Sequence, residues 1–403
     1  MLLRFRVANH RSIRDEQTLS LIAVPRRGEP KRTESLHVAG IYGANASGKS
    51  NLLDALRWMS DAIRSSHTSW DPTKGVPRNP FKLSRAGLRT PSFFEADFLH
   101  QGVRYSYGFE MDDEVVLGEW LNAFPRGRPK KLFDRTGPAD MTFGRSLTGE
   151  VQRIRRLTRP NSLYLSCAAS NNHSLLTAIY DTLKFVAIDF VQHGELNEES
   201  RLDLVKLLLR RGVATDNINE LLRIADLGIE RVELVEAEPH DQLIMRRAGE
   251  MPSLSLEEES AGTRAWLSLL GHTIIVLHIG GILLADEIDS SLHPLLSSTL
   301  IRMFKDPDIN RANAQLIFSS HDTTLLGSLI EDGLLARDEV WFTEKDSSGA
   351  TNLYSLAEFH TRRDENIERG YLQGRYGAVP YLNFEDIREI FLKGPASTHE
   401  PQA

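Results

Sequence analysis

Apolar and polar residues alternate through residues 1–42, with Pro25, Gly28 and Pro30 as turn formers, and the stretch closes in the apolar run 36–42. This pattern predicts two or three strands, the last of them buried. Residues 51–63 change period, with Leu52, Leu53, Leu56, Met59 and Ile63 at helical spacing, and the glycine-bounded segment 43–50 lies between strand and helix. From 91 to 124 the period returns to two: Val103, Tyr105, Tyr107 and Phe109 alternate with polar residues beyond a Gln101-Gly102 turn, which predicts antiparallel strands. A helical stretch is expected over 174–225, with Leu202, Val205, Leu208 and Leu209 on one face, then strands at 231–236 and 242–247. A helix at 262–279 and a strand at 282–285 follow. Helix and strand alternate again through 295–305, 315–319, 323–329 and 339–342, with further strands at 341–345 and 353–356. Such alternation predicts an α/β fold with a mixed, mainly parallel sheet flanked by helices, an antiparallel β lobe and a helical insertion. No paired heptads predict a long coiled coil.

Composition changes this picture little. The chain has 403 residues, 41% hydrophobic and 26% charged, in the range of folded globular proteins. Lys and Arg total 48 against 55 Asp and Glu, a formal net charge of −7, which argues against binding nucleic acid or membrane by bulk charge. The single cysteine, Cys167, excludes an internal disulfide, and no Cys/His cluster supplies zinc ligands. The first residues run at once into Arg4 and Arg6, unlike a secretory leader, and the longest apolar stretch, 273–285, is broken by His278 and Gly280-Gly281. A cytoplasmic protein without a membrane span is expected.

The chemistry is concentrated in four short segments. Gly43-Ala44-Asn45-Ala46-Ser47-Gly48-Lys49-Ser50 fits G-x-x-x-x-G-K-[ST] between a strand and a helix. Glycines there let backbone N–H groups point at phosphate oxygens and the helix start adds a positive dipole end. Lys49 is placed for the β/γ phosphates of ATP, Ser50 for Mg²⁺, and Asn51 follows in the helix. Ile282-Leu283-Leu284-Ala285 delivers Asp286 and Glu287 to a strand's carboxyl end. Asp286 suits the Mg²⁺ shell, and Glu287, one residue on, suits orienting or deprotonating an attacking water. Ser260-Ala261-Gly262 opens a helix upstream. His321 follows an apolar strand, where it suits the γ-phosphate or the attacking water. His293-Pro294 reads as a turn into the next helix, without chemistry.

The order of phosphate loop, Glu259-Ser260-Ala261-Gly262-Thr263, Asp286-Glu287, Asp289 and Ser319-Ser320-His321-Asp322 resembles the ABC/SMC-type ATPases. The similarity is closest to the bacterial OLD-like and abortive-infection proteins of phage defence. It extends to the opening Phe5-Arg6-Val7-Ala8-Asn9-His10-Arg11-Ser12-Ile13 and the late Gly374-Arg375-Tyr376-Gly377-Ala378-Val379-Pro380-Tyr381. That resemblance implies ATP hydrolysis at sites shared between subunits, with Ser260 and Gly262 meeting the γ-phosphate held by the opposite subunit and Asp289 nearby. Glu259, Ala261 and Thr263 depart from the family's usual leucine-serine-glycine-glycine-glutamine. It also implies an N-terminal ATPase half at 1–90, a β lobe at 91–170, a helical insertion with return strands at 171–250, a C-terminal ATPase half at 251–393, and a loose tail at 394–403. Neither Gln101 nor Gln192 has a context that marks it as the family's Q-loop residue.

No glutamate-then-Asp-x-Asp pattern of a fused Toprim nuclease follows His321, so a separate effector, a nuclease or toxin, is the expected partner beside a second copy of the chain. The alternative is a RecF-like clamp that closes on DNA. Between 121 and 160, Arg126, Arg128, Lys130, Lys131, Arg135, Arg145, Arg153, Arg155, Arg156 and Arg159 outweigh Asp134, Asp140 and Glu150. Such a stretch suits phosphate backbones, or simply a solvated face, and lacks aromatic interleaving for base stacking.

Overall fold

The computed structural model describes residues 1–25, 35–184, 186–189, 198–225, 228–236, 241–247, 249, 251–327, 333–360, 365–380 and 383–392. The tail at 394–403 and Gln192 lie outside these. Along the chain run β1 (Leu2–Ala8), β2 (Gln17–Ser20), β3 (Val38–Tyr42), α1 (Lys49–Ser65), α2 (Arg85–Arg89), β4 (Ser92–His100), β5 (Val103–Met111), β6 (Val116–Phe124), β7 (Lys130–Thr136) and β8 (Met141–Phe143). Next come α3 (Val151–Leu157), α4 (Tyr164–Ser170), α5 (Ser174–Leu183), β9 (Val186–Asp189), α6 (Glu198–Arg210), α7 (Thr215–Ile224), β10 (Ile229–Val235), β11 (Gln242–Arg247) and β12 (Leu254–Ser255). The last third holds α8 (Ala261–Ile279), β13 (Ile282–Ala285), α9 (Pro294–Lys305), β14 (Gln315–Ser319), β15 (Val340–Lys345), β16 (Thr351–Ser355), α10 (Ile367–Leu372) and α11 (Phe384–Leu392).

The described strands form three sheets. One has the order β16-β15-β3-β14-β13-β9, in which β15, β3, β14, β13 and β9 run parallel and β16 antiparallel. A second, antiparallel, has the order β2-β1-β4-β5-β6-β7-β8, and the third pairs β10, β11 and β12. With helices on the parallel sheet and an antiparallel sheet beside it, this is an α/β fold with a mixed, mainly parallel sheet, and α8, at 19 residues, is its longest described helix. The boundary expected at 90 falls inside the antiparallel sheet: β1 pairs with β4, Phe5 facing Ala96. Strand β9 lies within the stretch expected to be helical over 174–225, and adds to the edge of the parallel sheet beside β13. Where a helix was expected from 323, the chain forms only a 3-10 turn at Thr323–Leu326; residues 328 and 329 are not described.

Strands β3 and β13 and the middle of β14 are apolar because both their faces are covered. Ala39 and Ile41 of β3, Leu284 of β13 and Ile317 of β14 join one core with α1 and the antiparallel sheet. Their neighbours Val38, Tyr42, Leu283, Ala285, Leu316 and Phe318 join the other, with α9 and α10. Helix α1 therefore sits between two sheets, burying Leu52, Leu53, Leu56, Met59 and Ile63. A third core gathers α6, α7, β10 and β11 around Trp266 and Leu270 of α8. Gly280, at φ 82°, ends α8, and His293 caps α9 by accepting from Leu295 N at 3.2 Å, ahead of Pro294 at the first turn.

Helix α1 is tied down by a buried ionic cluster. Asp54 accepts from His10 Nε2 at 2.8 Å and from Arg57 Nη2 at 2.6 Å, and Arg11 Nε lies 2.5 Å from it. Burial raises the Asp54 carboxyl, but His10, Arg57 and Arg11 outweigh this and hold it at about 2. Burial also keeps the His10 imidazole below its usual range against the pull of Asp54. Asp54→Ala is expected to cost about 3 kcal/mol in a denaturant melt, because it strands buried partners. The Asp54 pKa is depressed on folding, so its contribution is complete above about pH 4 and disappears as pH falls through about 2.

Candidate functional site

Strands β3, β14 and β13 are adjacent and parallel, so the loops leaving their carboxyl ends share one edge of the sheet, where α/β sheets bind ligands. This juxtaposes the phosphate loop after β3, Asp286 and Glu287 after β13, and His321 after β14.

The phosphate loop closes on itself. Lys49, buried, donates from Nζ to the carbonyls of Gly43 at 3.0 Å and Ala44 at 3.2 Å. Burial pushes its ammonium below the usual value, while Asp286, Glu287 and Asp289 pull it back up. Gly43, Ala46 and Gly48 take φ of 153°, 63° and 111°. A Cβ on Gly43 would come 2.5 Å from the Thr343 carbonyl, and one on Gly48 would run into the Thr351 hydroxyl, so both positions need glycine for backbone angle and for space. Asn45 and Ala46 form the exposed crest of the loop, and Ser50 is half-buried at the helix start. Ser47 turns inward, its hydroxyl 2.6 Å from that of Thr343 and its carbonyl accepting from Thr351 at 2.9 Å.

Other supports come from segments far away in sequence. Asn51 Nδ2 donates to the Ser12 hydroxyl at 2.6 Å, and Ser12 lies 2.8 Å from the Thr351 hydroxyl, so the side chain of Asn51 joins this brace. The Tyr371 hydroxyl, close enough to the Gly43 N–H to feel it, donates to the Ala378 carbonyl at 3.1 Å. Tyr371 and Tyr376 stack on Phe342 of β15. The opening 5–13 motif and the late 374–381 motif thus both reach the phosphate loop, 381 itself being outside the described residues. Of these supports, Thr343 and Thr351 carry no sequence signal: a threonine in a strand is unremarkable until its hydroxyl is seen against a loop hundreds of residues earlier.

Beside the loop, Asp286 is buried and Glu287 half-buried. Glu287 adopts a left-handed φ of 51°, a conformation that costs energy in a non-glycine residue and must be held by its surroundings. The Ser319 hydroxyl donates to Asp286 Oδ1 at 2.5 Å and accepts from Glu287 N at 2.7 Å, and Ile288 N donates to the Ser319 carbonyl at 3.0 Å. Asp289 Oδ1 accepts from His321 N at 3.2 Å. Burial, and then the charge of Lys49, push the His321 imidazole below its usual value, against Asp289, Glu287 and Asp286. This favours the neutral imidazole, which can accept a hydrogen bond. Lys49, Asp286, Glu287, Asp289 and His321 thus lie in one electrostatic cluster. Ser50 and Asp286 offer oxygen donors, the type that Mg²⁺ prefers, and glycine-lined backbone beside Lys49 suits a phosphate.

Ser260 and Gly262 lie apart from this cluster in their contacts. Ser260, exposed, caps α8 by accepting from Thr263 N at 3.1 Å. A Cβ on Gly262 would come 2.6 Å from the Ser291 carbonyl, so packing within the chain accounts for glycine there and couples the start of α8 to the loop that carries Asp289. Gln101 is exposed in the β4–β5 turn at φ 48° and has no part in the site.

Residues 38–327 match the family described as "AAA domain, putative AbiEii toxin, Type IV TA system". The chain belongs to this family. The match does not extend to the OLD-like proteins. Among solved structures, the chain is similar to an SMC head bound to the C-terminal winged-helix domain of ScpA, at 13% identity over 92% of this chain and 99% of that one, with a TM-score of 0.43. The SMC head domain from Thermotoga maritima is 14% identical over 88% and 98%, with a TM-score of 0.39. An SMC head with an extended coiled coil, bound to the C-terminal domain of ScpA derived from Pyrococcus furiosus, is 11% identical over 96% and 99%, with a TM-score of 0.41. No curated protein matches the chain.

The basic stretch divides when seen in this AAA-domain fold. Arg135 is buried and donates to the carbonyls of Gly137, Pro138, Arg159, Pro160 and Ser162. Arg159 holds those of Ser66, His67 and Trp70, and Arg155 that of Ala139. These three arginines serve the fold, while Arg126, Arg128, Lys130, Lys131, Arg145, Arg153 and Arg156 remain exposed. No helix among the described residues is long and apolar enough to cross a membrane.

Proposed function

We propose that the protein hydrolyses Mg²⁺-ATP at sites completed by a second copy of the chain, and that this cycle controls a separate effector, a nuclease or toxin, in defence against phage. The observation that carries the chemistry is the convergence of Lys49, Asp286, Glu287 and His321 at one edge of the parallel sheet. In this reading, backbone N–H groups of 43–50 and the Lys49 ammonium hold the phosphates, and Ser50 and Asp286 hold Mg²⁺. The metal, when bound, screens the charge of the phosphates. Glu287 orients the attacking water and takes its proton, and neutral His321 accepts a hydrogen bond from that water. Sharing of the site, which the OLD-like and ABC/SMC resemblance implies, is supported by Ser260, an exposed cap at the start of α8 whose hydroxyl is engaged by Thr263 rather than by its own phosphate loop. The family description, with its toxin and type IV system, supports a place in defence. The clamp alternative loses ground because part of its basic stretch is used inside the fold.

Mixing variants tests the shared site. Lys49→Ala and Ser260→Arg should each be inactive alone, whereas their heterodimer gathers both defects in one site and leaves the other intact. Hydrolysis should partly return on mixing, together with ATP-dependent association in sedimentation runs at several protein concentrations. Hydrolysis by a species that stays monomeric with ATP, and no recovery on mixing, would make Ser260 a simple helix cap.

A further inference from the structure

We propose that Ser319 is a positioning residue for both carboxylates of the site, so that the end of β14 sets the geometry of Asp286 and Glu287. The inference rests on the ATPase reading above. Ser319 is fully buried, and its one hydroxyl serves two masters: Oγ–H donates to Asp286 Oδ1 at 2.5 Å while an Oγ lone pair accepts from Glu287 N at 2.7 Å. Its carbonyl accepts from Ile288 N at 3.0 Å. Two residues on, His321 N donates to Asp289 Oδ1 at 3.2 Å. The end of β14 is therefore laced to four consecutive residues of the turn after β13 in which Glu287 holds its left-handed φ of 51°.

Each bond has a separate consequence. A hydroxyl donor on Asp286 sets the rotation of the carboxylate, and with it the direction in which the second oxygen meets a metal. An acceptor for the Glu287 amide offsets the cost of the left-handed turn and keeps that carboxylate aimed. Because the two bonds share one oxygen and lie next to His321, movement of the β14 end when the γ-phosphate arrives or leaves shifts Asp286 and Glu287 together. Serine at 319 thus couples the histidine loop to the carboxylate loop, a link that neither Asp286 nor Glu287 provides alone.

Ser319→Ala removes the donor and the side-chain acceptor while leaving the strand, and Ser319→Cys keeps the size but only a weak donor. Ser319→Thr keeps the hydroxyl. In the full-length protein, the Ala and Cys variants should lose about a hundredfold in kcat, the cost of a roughly 1 Å misplacement, with a smaller rise in KM for Mg²⁺-ATP, and Thr should restore most of it. Calorimetric titration supplies a readout apart from turnover. ATP should bind the Ala and Cys variants as tightly as wild type without Mg²⁺, since the phosphate loop is untouched, but gain less affinity when Mg²⁺ is added. Wild-type kcat and a wild-type Mg²⁺ gain in Ser319→Cys would overturn the proposal. So would an equal loss of ATP affinity with and without Mg²⁺ accompanied by a lowered melting temperature, which is the mark of a packing role only; the Cys variant decides should Ser319→Ala fail to fold. A wild-type protein that binds Mg²⁺-ATP without turning it over would defeat the ATPase reading instead, and the Mg²⁺ gain would still judge Ser319.

Discussion

Lys49→Ala is expected to weaken ATP binding about a hundredfold, near 3 kcal/mol, because the loop then has no side-chain cation for the β/γ phosphates. In the structure Lys49 Nζ donates to the carbonyls of Gly43 and Ala44 in its own loop. A phosphate has to draw the ammonium away from these carbonyls, so part of the gross attraction is spent on that exchange. The fold should persist: α1 is held by its buried apolar face and by Asp54, neither of which involves the Lys49 amine. Calorimetric titration of ATP beside a thermal melt checks both halves. Unchanged affinity in a folded variant would remove the phosphate-loop assignment.

Glu287→Gln should separate binding from hydrolysis. The change is nearly isosteric, keeps the backbone N–H that Ser319 accepts from, and leaves Asp286 in place. It removes only the group able to take a proton from water, and loss of such a base lowers turnover by at least about a hundredfold. ATP should stay bound, so a variant whose site is shared between copies accumulates as an ATP-dependent associated species. Phosphate release and sedimentation with ATP measure the two effects. Turnover at the wild-type rate would show that Glu287 is not the base.

The pattern of residues alone determined the elements that carry the chemistry. Strand, glycine loop and helix at 38–65 follow from an apolar run, positive-φ glycines and helical spacing within a few residues of one another, and β13 with Asp286 and Glu287 is equally local. Local interactions decide such segments, so they are legible without knowing what surrounds them. The apolar face of α6 and the strands β10 and β11 were legible for the same reason.

Tertiary structure alone decided what stands next to what. Strand order in the parallel sheet puts β14 between β3 and β13, and only that insertion brings His321 beside Lys49 and makes the Ser319 hydroxyl a partner of Asp286. Nothing in the four residues of β9 distinguishes them from a helical segment; pairing with β13 makes them a strand. The same holds for β1 and β4, which pair across the intervening phosphate loop and α1. Thr343, Thr351, Ser12 and Tyr371 acquire roles at the phosphate loop only through folding. Arg135 and Arg159 look like part of a basic surface in sequence, but burial turns their guanidiniums onto backbone carbonyls. Periodicity records which face of an element is apolar, whereas pairing and long-range hydrogen bonds depend on which distant segments arrive beside it, and that is settled by packing of the whole chain.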